Sequence, residues 1–231
     1  PGNLTRASNL KTNFGCFVVI SQEQVILIDT GVGPAMNGEL PGELRKIGVD
    51  HDDITIVAFT HLHPDHVGWS ITGNENNEQL NFSNATYRVP MGDWNHFTSP
   101  GQIENAEHVA SQVVPLDRMG ALNLMDGETQ LTSEVTFIPT PGHTPGHMSA
   151  VIHSEGESGF ILGDVVNFPF QVEETSWEIA FDSNPALARK TRETLMDRLE
   201  REGGIVGAGH FPSPSFGHVI RSKSRRYWKS L

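Results

Sequence analysis

One cysteine in 231 residues leaves no intrachain disulfide to staple the fold, so stability has to come from a packed core. That residue, Cys16, stands in the apolar run Phe14-Gly15-Cys16-Phe17-Val18-Val19, which reads as a buried, inert thiol and not as a nucleophile. Positive charge is scarce. Against 28 Asp and Glu there are only 16 Lys and Arg, and the formal net charge of −12 works against nucleic acid as a partner. The five basic residues between Arg221 and Lys229 read as a solvated chain end. No apolar run approaches the ~18 residues of a membrane span, and no charged-then-apolar signal opens the chain, so no membrane partner is expected. Repeats and low-complexity tracts are missing too. The chain begins Pro1-Gly2 without a methionine, which is compatible with an upstream segment having been removed; a cytoplasmic location is the working expectation.

What is present suits one large α/β domain spanning 1–231: 37% hydrophobic residues for a core and 23 glycines for many loops. Residues 14–20 and 24–28 read as strands, 41–47 as a helix and 54–60 as a buried strand. The polar stretch 74–78 reads as an exposed loop, 85–89 as a strand and 92–97 as a short helix. Apolar runs at 113–116, 122–125 and 135–139 read as strands, and 148–153 with 159–162 as a hairpin. The clearest helix covers 185–201. Asn184 serves as its N-cap, Pro185 fits the first helical position, and Gly203-Gly204 stop it.

The chemistry concentrates in Thr60-His61-Leu62-His63-Pro64-Asp65-His66-Val67-Gly68, directly after the run Ile54-Thr55-Ile56-Val57-Ala58-Phe59. Three imidazoles and a carboxylate on one strand end are costly to bury unless something pairs with them, and a divalent cation pairs with all four. The same grammar recurs. His143 follows Val135-Thr136-Phe137-Ile138, Asp164 follows Phe160-Ile161-Leu162-Gly163, and His210 follows Ile205-Val206-Gly207-Ala208-Gly209. Strand tips in a layered α/β fold lie on one edge, which makes convergence of these distant groups plausible. Five histidines and two aspartates are too many for one tetrahedral ion and suit two that share a carboxylate. Nitrogen and carboxylate donors suit zinc first, with manganese, iron or cobalt fitting similar sets.

This ordered set, HxHxDH followed by a lone His, an Asp and a last His, resembles the metallo-β-lactamase superfamily. The resemblance covers most of the chain, from Leu27-Ile28-Asp29-Thr30-Gly31 to His210. It implies an αββα sandwich of two mixed sheets flanked by helices. It also implies a dinuclear hydrolase using a bridging hydroxide. His61, His63 and His143 would hold one ion, Asp65, His66 and His210 the second, with Asp164 bridging. Asp29 and Thr60 would support ligand imidazoles through their other ring nitrogen, and His147 and His218 are further candidates for that role. Asp65 would pass a proton to the leaving group. Trp94, Phe97, Phe168 and Phe170 are candidates for an apolar wall around a small-molecule substrate. His51, His108 and His153 read as ordinary surface or loop residues.

Residue identities discriminate among branches. The thiol-ligated β-lactamases carry a cysteine where Asp164 stands, and another subclass lacks that aspartate, so β-lactam hydrolysis is an alternative only. The segments around His143 and His210 look most like quorum-quenching lactonases and methyl parathion hydrolase-like phosphotriesterases. A departure stands out: the tyrosine usual in lactonases between the bridging aspartate and the last histidine is missing, since the two tyrosines are Tyr87 and Tyr227. A glyoxalase II-like thioesterase would need basic residues for an anionic substrate, and Arg189, Lys190 and Arg192 are the candidates. A metal-binding scaffold without activity would be expected to have lost a ligand, and none is lost. Dimers among related lactonases make a homodimer the analogous expectation.

Overall fold

The structure, a computed structural model, describes residues 12–73 and 77–231. Part of the expected 74–78 loop, residues 74–76, lies outside them. In the first half the chain forms β1 (Phe17–Ser21), β2 (Gln24–Ile28), α1 (Leu40–Lys46), β3 (Ile56–Ala58), α2 (Pro64–Val67), β4 (Ile71–Thr72), β5 (Gln79–Leu80) and β6 (Thr86–Pro90). Helices α3 (Met91–Phe97), α4 (Glu107–Gln112) and α5 (Val114–Arg118) then lead to β7 (Leu122–Met125). The second half runs β8 (Thr129–Gln130), β9 (Val135–Pro139), β10 (Met148–Ser154), β11 (Glu157–Ile161), α6 (Phe170–Glu173) and α7 (Pro185–Glu202). It closes with β12 (Ile205–Gly207), β13 (Phe216–Ser222) and β14 (Arg225–Ser230).

One sheet has the order β1-β2-β3-β6-β7, parallel apart from the β1–β2 hairpin. The other has the order β14-β13-β12-β11-β10-β9-β8 and is antiparallel apart from β11–β12. Strand periodicity sorts the layers. Ile26 and Ile28 of β2 point between the sheets with Phe137, Ala150 and Ile161 from the second sheet, while Leu27 points the other way, onto Leu44, Val109 and Leu116 of the helices. On the far side, Val151, Phe160 and Val206 pack on Leu195, Met196 and Leu199 of α7. Each buried aliphatic of this kind contributes about 1.5–3 kcal/mol. The result is helix, sheet, sheet, helix, the expected αββα sandwich.

Helix α7 starts and stops as the sequence indicates: Asn184 accepts the Leu187 amide at 3.1 Å, and Gly203 ends it with a φ of 69°. One expectation is corrected and another refined. The 113–116 run is helical, not extended. Val109, Val113 and Leu116 are buried at helical spacing, and in a run this short that spacing looks the same as a strand's apolar content. The basic tail is largely solvent-exposed, as expected, but it is the ordered β13–β14 hairpin and not a free end, with Arg221 and Arg226 paired to Glu200 on α7.

Strand direction places the site. Strands β9, β11 and β12 run the same way, so residues 143, 164 and 210 follow their ends at one edge. The Met148 amide donates to the Thr60 carbonyl at 2.8 Å, bringing the end of β3 from the other sheet to that edge.

Candidate metal centre

Side-chain atoms able to bind a cation gather there in three overlapping groups, each within 4.8 Å: His61 with His63 and His143, His61 with His66 and Asp164, and Asp65 with His66 and His210. Asp164 sits between the outer two. Its Oδ2 lies 3.0 Å from His210 Nε2 and 3.3 Å from His143 Nε2, and its Oδ1 lies 3.3 Å from His66 Nε2. Asp65 Oδ2 is 3.4 Å from His210 Nε2.

The outward nitrogens explain the orientation. His66 Nδ1 donates to Asp29 Oδ2 at 2.9 Å, His143 Nδ1 to Asp182 Oδ1 at 3.0 Å, and His210 Nδ1 to the Asn13 carbonyl at 2.8 Å. Thr60 donates its hydroxyl to Asp29 at 2.8 Å, which leaves its oxygen to accept from His61 Nδ1 at 3.0 Å. These four imidazoles therefore turn Nε2 inward, the nitrogen that would bind a cation once free of a proton. His63 differs, presenting Nδ1 to His61 and His143 at 3.2 and 3.0 Å. Thr60 also donates its amide to Asp29 Oδ1 at 2.8 Å, so Asp29 holds both the start of the ligand loop and one ligand.

His147 is not one of the inward group. Its Nε2 accepts the Asp164 amide at 2.9 Å, which makes Nδ1 the protonated nitrogen, donating to Thr140 Oγ1 at 2.9 Å. Thr140 then donates to Ser149, and Ser149 to the Leu162 carbonyl. This buried, one-directional chain clamps the turn that carries Asp164. Gly163 within it has a φ of +56°, and a Cβ there would stand 2.6 Å from His147 Nε2, so only glycine fits.

Charge is distributed unevenly. Burial pulls His61 well below the usual imidazole range, and takes His63 and His147 down to about 3. For His66 and His143 burial acts the same way, but nearby carboxylates outweigh it: Asp164 and Asp29 raise His66 well above the usual range, and Asp164 and Asp182 raise His143 to about 9. Burial alone would raise Asp164; the imidazoles of His66 and His61 reverse this and hold it well below the usual range. Two buried atoms, His66 Nε2 and Asp164 Oδ1, have no hydrogen-bond partner among the described residues. Ring nitrogens turned inward, a carboxylate between them and these orphaned atoms fit divalent cations.

A cavity of about 590 Å³ opens above this floor, with Phe14, Met36, Phe168, Ile179 and Phe181 as its apolar wall and Asn167 beside Asp164. Of the expected wall residues Phe168 is there. Phe170 stands behind it, stacked at 5.1 Å, and Trp94 and Phe97 pack half-buried against the core under the first sheet. Phe97 also meets the His63 ring edge-on, with centroids 6.1 Å apart, so it backs a ligand without lining the cavity. His218 is not brought to the cluster either. It binds the Gly204 carbonyl at 2.7 Å, at the end of β12 away from His210. His108, read as a surface residue, is half-buried on the Leu62 carbonyl at 2.9 Å. His51 is half-buried too, with Nδ1 3.2 Å from the Asn81 carbonyl oxygen, whereas His153 is exposed.

Sequence reasoning missed Asp182, Asp93 and Asn167, and it weighed Arg192 only as a partner for an anionic substrate. Arg192 is fully buried on α7, binds the carbonyls of Val165, Thr175 and Trp177, and stands 3.5 Å from Asp182. No local pattern marks Asp182. Arg192 did carry a signal, lying in register with Ala188, Leu195 and Leu199 on the buried face of α7.

Residues 16–210 match the metallo-beta-lactamase superfamily. The chain belongs to that family. It is similar to an N-acyl homoserine lactonase of Bacillus thuringiensis, 24% identical over 232 residues that cover 90% of this chain and 84% of the relative. Among solved structures it is similar to the hydrolase AbOPH of the beta lactamase superfamily, with a TM-score of 0.85, 26% identity and coverage of 95% and 80% of the two chains. The fold is also that of AidC, a dizinc quorum-quenching lactonase, with a TM-score of 0.81 at 24% identity over 94% and 78% of the chains.

Proposed function

We propose that this protein is a dinuclear metal-dependent hydrolase that cleaves an ester-type bond in a small, fairly apolar substrate: a lactone, carboxyl ester or phosphotriester. The observation that carries this reading is Asp164, placed between two groups of inward-facing ligand atoms on the floor of an apolar cavity. His61, His63 and His143 would hold one ion and Asp65, His66 and His210 the other, with Asp164 shared. Bound divalent ions, zinc first, would activate water and polarise the ester oxygen.

The chain's own residues supply the rest. The apolar wall receives the organic part of the substrate and excludes water from around the reacting bond. Asp65 is the open carboxylate of the floor, with a side chain 22% exposed against 5% for Asp164, and it can hand a proton to the departing oxygen. Tyr87 is buried on the Ser70 carbonyl and Tyr227 lies on β14, so neither supplies the phenol usual in lactonases. Between Asp164 and His210 the polar side chain that borders the cavity is Asn167, donating Nδ2 to Asp164 Oδ2 at 2.8 Å.

The alternatives fare less well. Among the described residues lining the cavity there is no Lys or Arg for a glutathione thioester, Arg192 is buried and Arg189 pairs with Glu193. Cys16 lies in a neighbouring recess, where burial and then the carboxylates of Asp29 and Asp65 push its thiol far up. Metal analysis with a panel of lactones, aryl esters, phosphotriesters, S-lactoylglutathione and a chromogenic cephalosporin tests the reading. Hydrolysis of an uncharged ester, lactone or triester by protein holding two ions is the expected result. Turnover of the glutathione thioester alone would move the protein to the thioesterases, and inertness of metal-replete protein to all would leave a scaffold.

A further inference from the structure

Leu62, between two ligand histidines, has neither of its backbone polar groups in a strand or helix. Its amide donates to Asp93 Oδ2 at 3.0 Å, and its carbonyl accepts from His108 Nε2 at 2.9 Å. Asp93 is fully buried on α3 and does more than hold this peptide. Thr144 donates its hydroxyl to Asp93 Oδ2 at 2.8 Å, and Gly146 donates its amide to Oδ1 at 2.6 Å. Thr144 follows the ligand His143 directly. One carboxylate therefore grips two ligand loops that reach the site from different sheets.

The approach is built for contact. Gly92 and Gly146 face each other where α3 meets the His143 loop: a Cβ on Gly92 would stand 2.8 Å from Gly146 Cα, and one on Gly146 would stand 2.1 Å from the Asp93 amide nitrogen. With no side chain at either position, backbone rests on backbone and the short Asp93 side chain reaches all three donors. His63 Nδ1 and His143 Nε2 then meet at 3.0 Å across the joint. Neither histidine touches Asp93 itself.

We propose that Asp93 is the positioning residue of the three-histidine cation site: it sets His143 against His61 and His63, and so determines how tightly that ion, and not the other, is held. The Asp65, His66 and His210 group is held instead by Asp29, which the His61 side shares through Thr60, and by the Asn13 carbonyl, neither of which is hydrogen-bonded to Asp93. This inference rests on the dinuclear reading above. Supporting groups of this kind typically change ion affinity by about 10–100-fold.

The test titrates metal-stripped protein with Zn2+ against a competing chelator and records the visible absorption of the Co2+-loaded form. Wild type is expected to take up two ions. In Asp93→Asn and Asp93→Ala one ion should be held as in wild type and the other at least about tenfold more weakly, with the Co2+ spectrum changed for that ion alone. Thr144→Val, which removes one donor and keeps the shape, guards against failure of the Asp93 variants to fold and should weaken the same ion several-fold. Leu116→Ala, a cavity in the same core layer, should lower the melting temperature and leave both affinities unchanged. Equal affinities in wild type and the Asp93 and Thr144 variants would overturn the proposal, as would parallel weakening of both ions in step with Leu116→Ala. A wild-type chain that takes up no ion would instead overturn the dinuclear reading and this proposal together.

Discussion

The two outer ligand groups are held in different ways. Around His61, His63 and His143 the supports are redundant and buried: Asp93 and His108 on the Leu62 peptide, Asp182 behind His143, and Arg192 behind Asp182. The Asp65, His66 and His210 group leans on Asp29 at one corner and on a single backbone carbonyl, that of Asn13, at another, and its Asp65 side chain is 22% exposed. Both groups reach the cavity, through His63 and His143 on one side and Asp65 and His210 on the other, and what differs is the support behind them.

Removing what the two groups share should have the largest effect. Asp164→Ala is expected to abolish hydrolysis and tight uptake of the second ion, and elemental analysis finding two firmly held ions would show that Asp164 is not shared. Asp65→Asn should lower turnover by ~10²–10⁴-fold while the ion of the three-histidine group stays bound. If that ion is lost with the other, the groups are not independent. Asp182→Ala should act on the opposite side. It leaves the Arg192 charge buried without its counter-charge, so denaturant unfolding should show a loss of about 3–5 kcal/mol, and His143 should bind its ion more weakly.

The next expectation concerns protons. His143 is raised to about 9 in the metal-free chain, above the usual imidazole value of 6.5. Its proton therefore stabilises the metal-free fold fully below about 6.5, and that contribution disappears as pH rises through about 9. A cation competes with the same proton, so ion uptake should release it and apparent affinity should rise by up to about tenfold per pH unit until about 9. Calorimetry in buffers of different ionisation heat counts the protons. The smallest effect is expected at the rim. Phe181 is 77% exposed on the cavity wall, so Phe181→Ala should leave stability within about 0.5 kcal/mol and raise KM a few-fold with kcat unchanged.

Legibility followed the same division. His61, His63, Asp65, His66, His143, Asp164 and His210 could be named from the sequence because each is a costly side chain at the end of an apolar run, and the structure draws them together. The residues that hold them were hidden. Asp93 lies 31 positions from Leu62 and 53 from Gly146, and Asp182 lies 39 from His143. A carboxylate on a short helix looks the same whether it meets water or a buried amide. Val113 to Leu116 was read as a strand for a related reason, since a four-residue apolar run carries too few turns to distinguish its period.

The chain by itself therefore determined the donor set, because the expense of burying imidazole and carboxylate is a property of local sequence, and the layer order followed from the family resemblance that this set carries. Which aromatics form the wall, which nitrogen each histidine turns inward and which carboxylates fasten the two ligand loops were decided only when both sheets met at one edge. Those choices depend on hydrogen bonds between residues far apart in the chain, and such partners exist only once the core has packed.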